Sequence, residues 1–230
     1  MPFKYSSYQV ATAIAIFFHA IGLVGLLYFD KAFFIAATPV NLLLSFGLLI
    51  WTARETKASF YIFLLACFVV GIVVEMIGVH TGLLFGEYHY GNVLGYGVNE
   101  IPLLIGVNWF IVIYCCGTGI SMFFRKLSDG IAFPDERKAK RLRSLSVIID
   151  GATLAVFFDW LMEPVAVKLG YWKWLGDGSI PFYNYICWFV VSVVLLSVFR
   201  FGNFNKHNKF ALNLLLVQLM FFLILRTFMQ

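Results

Sequence analysis

Four carboxyl side chains interrupt long apolar stretches of the chain: Glu75, Asp150, Asp159 and Glu163, with Glu100 at the edge of another. An ionisable group inside a membrane costs about 2.5–3.5 kcal/mol on insertion scales, so each needs a reason to be there. A carboxyl in dry surroundings tends to keep its proton and can deliver it, and a second carboxyl nearby can receive one. Asp159 and Glu163 are four residues apart and share one helical face. Glu75 belongs to the series Gly71, Glu75, Gly78, Gly82, Gly86, whose steps of four, three, four and four also keep one face. Small residues at Gly78, Gly82 and Gly86 let a neighbouring helix backbone come close, which turns Glu75 into a helix–helix interface. Glu75 then reads either as an acid–base group or as a protonated carboxyl bonded across two helices. Asp150 stands nine residues before Asp159, half a turn out of phase and about 13 Å away along a helix. It falls outside that cluster and reads as a polar contact between helices.

Other candidates flank these carboxyls. The segment from His80 to Gly97 has no Lys or Arg, many glycines and several aromatics, among them Tyr88 and Tyr90. His80, Glu87 and His89 are conceivable metal ligands, but no compact ligand spacing joins them and no metal is expected. The segment from Lys168 to Phe182 carries Tyr171, Trp172, Trp174 and Asp177, which suit an interfacial aromatic belt or the wall of a lipophilic pocket. Asn108 and Asn184 can each orient a carboxyl or a water. His19 reads as a packed polar residue and His207 as a solvated one. The cysteines Cys67, Cys115, Cys116 and Cys187 read as small core residues, without CxxC spacing.

The elements that position these groups follow from composition. Of 230 residues, 61% are apolar and 13% are charged, against about 45–50% and about 25% in soluble domains. Lipid as the outer solvent resolves the imbalance, and it requires each backbone polar group to be satisfied within helices or a closed barrel. Apolar runs of about 20 residues without alternation select helices. We expect an all-α, polytopic membrane helix bundle forming a single integral membrane domain over 1–230, with no soluble domain. Its seven spans are Tyr8–Phe29, Ala32–Trp51, Ser59–Val79, Ile101–Phe124, Ser144–Val167, Tyr183–Arg200 and Phe210–Phe228. The first is too long for a signal peptide and no small-residue cleavage site follows it. Ser128–Arg143 reads as a polar cytoplasmic loop. Alternating sides collect thirteen Lys and Arg on one side, Lys4 included, and four on the other. The positive-inside rule then puts the N-terminus in the cytoplasm and Glu75, Asp159 and Glu163 in the outer half of the membrane. The basic run Arg137–Arg143 is expected to meet anionic lipid headgroups. No motif context points to nucleic acid.

Three stretches resemble a known family. EMIGVHTGLLFGEYHY, from Glu75 to Tyr90, is similar to the signature E-x-x-G-x-x-T-G-x-x-F-G-x-Y-x-Y of the CruF-type carotenoid 1,2-hydratases. DWLMEPVAVKLGYWKW, from Asp159 to Trp174, resembles D-x-x-x-[DE]-P-x-A-x-x-x-G-x-W-x-W, and IPFYNYICW, from Ile180 to Trp188, resembles V-P-x-x-N-x-x-x-W. The family usually has Asp where Glu163 stands. The resemblance runs from about Ser59 to Trp188. It implies cofactor-free addition of water to the terminal double bond of an acyclic carotenoid ψ-end, such as that of lycopene or γ-carotene. The less substituted carbon is protonated and water captures the tertiary cation. Asp159 or Glu75 would donate the proton while the other positions water. Glu163 would stand beside them, with His80, Glu87, Tyr88, His89, Tyr90, Asn108, Trp109, Trp172, Trp174, Asn184 and Trp188 around the substrate. The implied partners are a carotenoid taken sideways from the bilayer of the cell membrane, membrane lipids and other carotenoid-pathway enzymes. A carotenoid cyclase would protonate the same bond without water, and a non-catalytic pigment-binding protein would use the same pocket. A retinal photoreceptor needs a mid-span lysine, and spans six and seven contain none.

Overall fold

The computed structural model describes residues 5–54, 56–128 and 135–229. Lys4, and the middle of the expected Ser128–Arg143 loop, lie outside them. The fold is 76% helical, and among the described residues seven helical segments are long and apolar enough to cross a membrane. The helices are α1 (Ser7–Tyr28), α2 (Lys31–Ala36), α3 (Thr38–Thr52), α4 (Ala58–Thr81), α5 (Leu103–Ser128), α6 (Glu136–Lys168), α7 (Phe182–Phe201) and α8 (Lys209–Phe228). Large apolar side chains such as Phe17, Ile62, Leu65 and Val190 point outward, which suits lipid and not water.

Three elements differ from the expected spans. The second span is two helices, α2 and α3, broken at Ala37; Pro39 sits in the first turn of α3 and has no N–H to continue α2. Helix α6 begins far earlier than Ser144, so Arg137–Arg143 is helix and not loop. Asp135 caps it by accepting the backbone N–H groups of Arg137 at 2.8 Å and Lys138 at 3.2 Å, and Lys, Arg, Ala and Leu are good helix formers. The glycine stripe also stops early. Helix α4 ends at Thr81, and Gly82 adopts φ 65° as its left-handed cap. Gly86 has φ 121° and lies beyond the helix. These two glycines turn the chain and do not line a helix face.

Helix α6 carries Pro164 in its interior. Proline cannot donate to the carbonyl four residues earlier, that of Trp160. Arg226 of α8 donates to that carbonyl instead, and its guanidinium lies 3.8 Å over the Trp160 ring.

Helix α5 is the central member and touches α3, α4, α6, α7 and α8. Its approach to α4 depends on Gly71, where a Cβ would lie 2.6 Å from Cδ1 of Trp109. We expect Gly71→Ala to cost about 1–3 kcal/mol through overpacking. A lowered thermal midpoint and altered tryptophan fluorescence in the purified protein would register it.

Because successive spans alternate in direction, the C-terminal ends of α4 and α6 meet the N-terminal ends of α5 and α7 at one end of the bundle. Over that end lies a two-stranded antiparallel ribbon, β1 (Tyr88–Tyr90) with β4 (Trp172–Trp174). Its register pairs Tyr88 with Trp174, His89 with Lys173 and Tyr90 with Trp172. A second small hairpin, β2 (Gly97–Val98) with β3 (Ile101–Pro102), turns through Asn99 and Glu100 at φ 49° and 67°, the left-handed pair such turns require.

Candidate active site

The ribbon decides what surrounds the carboxyls. Side chains alternate along a strand, so Tyr88, Tyr90, Trp172 and Trp174 face the bundle while His89 and Lys173 face away. The two tyrosines reach Glu75 on α4. Glu75 Oε2 accepts the hydroxyl of Tyr88 and that of Tyr90, the latter at 2.7 Å. Its Oε1 accepts the indole N–H of Trp109 on α5 at 3.0 Å. Burial, and then the charge of Glu75, pushes the Tyr88 and Tyr90 hydroxyls well above the usual phenol range, so both stay protonated and donate. Gly78 makes room for this arrangement, since a Cβ there would stand 2.8 Å from the Tyr88 hydroxyl. The chain thus folds back on its own helix at the place where the glycine series suggested a neighbouring helix.

The two tryptophans reach Glu163 on α6. Its Oε1 accepts the indole N–H of Trp172 at 2.7 Å and that of Trp174 at 2.6 Å. Asp159, one turn earlier and fully buried, has a thinner shell. Its Oδ2 accepts from the Asn184 amide of α7 at 2.9 Å, while Oδ1 meets no donor among the described residues. Asp159 and Glu163 lie one turn apart on α6, and Glu163 faces the same cavity as Glu75.

A cavity of about 30 Å³ lies between Glu75 and Glu163. By the same measure a water needs about 10–15 Å³. Its wall includes Glu75, Tyr88, Tyr90, Asn108, Trp109, Glu163, Trp172, Trp174, Asn184 and Trp188. Asp159 is not part of this wall but accepts from one of its residues, Asn184. Trp109 and Trp188 stack with ring centroids 4.1 Å apart and planes at 18°. A second, mainly apolar chamber of about 320 Å³ lies among α1, α2, α3, α6 and α8. The two share Ile105, Asn108, Met162 and Trp172 as a common wall.

Of the residues expected to be catalytic or to surround the substrate, all line the cavity except Asp159, which bonds the wall residue Asn184, and His80, Glu87 and His89, which are exposed. The imidazole of His80 bonds the Met76 carbonyl one turn earlier, at 2.9 Å. Asp150 is exposed and takes the hydroxyl of Ser146 on its own helix, so it is not a contact between helices. Phe85, Ile105 and Met162 also line the cavity and were missed. Helical spacing carried the signal for two of them, because Ile105 precedes Asn108 and Trp109 by three and four residues and Met162 follows Asp159 by three. His19, expected to pack, is buried with its ring edge-on to Phe221 at 5.4 Å, and it lines the large chamber.

Seven apolar spans around buried carboxyls that adjoin a lipophilic chamber define a multi-pass integral membrane protein with an interior polar site. Residues 33–230 match the carotenoid biosynthesis protein family, and the chain belongs to it. The bisanhydrobacterioruberin hydratase of Haloarcula japonica is 28% identical over 137 residues, which cover 56% of this chain and 41% of that protein. The chain therefore aligns with less than half of that relative. No solved structure matches the chain.

Proposed function

We propose that this protein is a carotenoid hydratase that adds water across the terminal C1=C2 double bond of an acyclic ψ-end. The observation that supports this best is the shared wall between a polyene-compatible apolar chamber and a polar cavity with room for water. The end of the polyene occupies the chamber, and its last double bond reaches past Asn108 and Met162 to the carboxyls. Asp159 and Glu163 act together as the acid. An Asp159 Oδ1 without a donor is best satisfied by carrying the proton itself, and Glu163 is the member that faces the cavity. The π electrons of the double bond take that proton at C2, and C1 becomes a tertiary cation. The faces of Trp109 and Trp188 stabilise it.

Water then attacks C1. The Asn108 side chain makes no hydrogen bond among the described residues and faces both cavities, which suits it to hold that water. The proton lost by the water goes to Glu75, whose carboxylate three donors keep in place. Its return to the acid pair closes the cycle, so the reaction balances as alkene plus water without an oxidant or reductant. Cyclisation uses the same first step, but a polar cavity of water size beside the acid favours hydration.

The test is expression in a host that accumulates lycopene or γ-carotene, with pigments separated and weighed by mass spectrometry. A product heavier by one water that incorporates heavy oxygen from labelled water is expected. An isomer of unchanged mass would make the protein a cyclase, and bound but unaltered pigment would make it a binding protein. By the charge asymmetry the N-terminus is cytoplasmic and the site lies in the outer leaflet of the cell membrane. Cysteine introduced at His89 should then react with an impermeant maleimide in intact cells, whereas cysteine at Arg141 should react only after lysis.

A further inference from the structure

The large chamber is not uniformly apolar. His19 of α1, Ser45 of α3 and Gln218 of α8 are each more than nine-tenths buried and line it, together with Asn41 of α3. Asn41 and Ser45 are one turn apart on a shared face. The Asn41 carbonyl oxygen is buried without a partner, and the side chains of Ser45 and Gln218 make no hydrogen bond among the described residues. His19 uses Nδ1 on the Ala15 carbonyl at 2.8 Å, which leaves Nε2 free. Three helices therefore bring neutral donors and acceptors to one apolar space, where a hydrocarbon alone leaves them unpaired.

From this we infer that the chamber holds a polar subsite for a hydroxyl or keto oxygen on the reacting half of the polyene, so that the preferred substrate is an oxygenated acyclic carotenoid and not a pure hydrocarbon. The inference rests on the chamber being the polyene site proposed above. The absence of formal charge among these side chains excludes a carboxylate or phosphate as the intended group. Its position follows from packing. Phe158, next in the chain to Asp159, meets Phe222 with ring centroids 5.6 Å apart. Gln218 lies one turn before Phe222 on α8, about 6 Å along the axis. The bound oxygen is thus on the order of 10 Å from the double bond being protonated.

The test uses the full chain in nanodiscs with two probes. One is lycopene. The other is the same skeleton with a hydroxyl on the reacting half, on the order of 10 Å from the terminal double bond. Affinity is read by quenching of tryptophan fluorescence, and turnover by chromatography. The hydroxylated probe is expected to bind at least about tenfold more tightly, and the ratio should fall toward one in Gln218→Met. If Gln218→Met does not fold, Asn41→Leu supplies the same reading. Equal affinities for the two probes in the unaltered protein, or a ratio that survives both substitutions, would overturn the subsite and leave these side chains to ordered water. Preferential binding without turnover of either probe would instead leave the subsite standing and sink the hydration reading.

Discussion

Glu75→Gln is expected to lower hydrated product by about 10²- to 10⁴-fold, the usual loss when a positioned acid–base group is removed. In the proposed reaction this carboxylate receives the proton of the attacking water, and an amide cannot. The substitution also has a structural cost. Two hydroxyls and one indole N–H point at the Glu75 oxygens, and a glutamine turns an N–H₂ toward one of those donors. An unpaired buried donor costs about 1–3 kcal/mol. Pigment binding must therefore be measured alongside product, because retained binding with lost product separates chemistry from folding. Full activity in Glu75→Gln would remove Glu75 from the mechanism.

Asp159→Asn is the cleaner experiment and should lose product by a similar factor, about 10²- to 10⁴-fold. Here the local bonding survives. The Asn184 amide still has a carbonyl oxygen to donate to, and the new N–H₂ takes the place of the oxygen that meets no donor. Thermal stability should stay close to that of the unaltered protein, while proton delivery ends. Glu163→Gln is similar in kind, since the carbonyl oxygen of glutamine can still accept both indole N–H groups that Oε1 accepts now. If Asp159→Asn and Glu163→Gln both retain activity in the carotenoid-producing host, the acid lies elsewhere.

The ribbon ties two of these carboxyls together. Glu75 and Glu163 sit on helices far apart in sequence, yet one two-stranded lid supplies donors to both. A slip of one strand by one residue would turn its two aromatic side chains outward and strip one carboxyl of donors. We expect Trp174→Phe to remove one of the two donors on Glu163 and to lower activity less than Asp159→Asn does. The side chain would still fill its place, and Trp172 would remain.

Much of this was legible from the chain alone. The apolar runs gave the number of spans, because a helix must be about 20 residues long to cross hydrocarbon. The carboxyl positions within those runs marked the candidate site, because lipid excludes charge without a reason. The spacing of Asp159 and Glu163 put them on one face, because helical geometry is local. The break at Ala37, the early start of α6 and the end of the glycine series at Gly82 depended on caps and on proline and glycine geometry. Only the tertiary structure decided which donor serves which carboxyl, that Glu163 lines the cavity while Asp159 does not, and that His80, Glu87 and His89 are exposed and outside it. The reason is physical. Periodicity and hydropathy are properties of one segment, whereas strand pairing between residues 88–90 and 172–174, and a chamber bounded by α1, α3 and α8, arise from contacts between segments that no local pattern encodes.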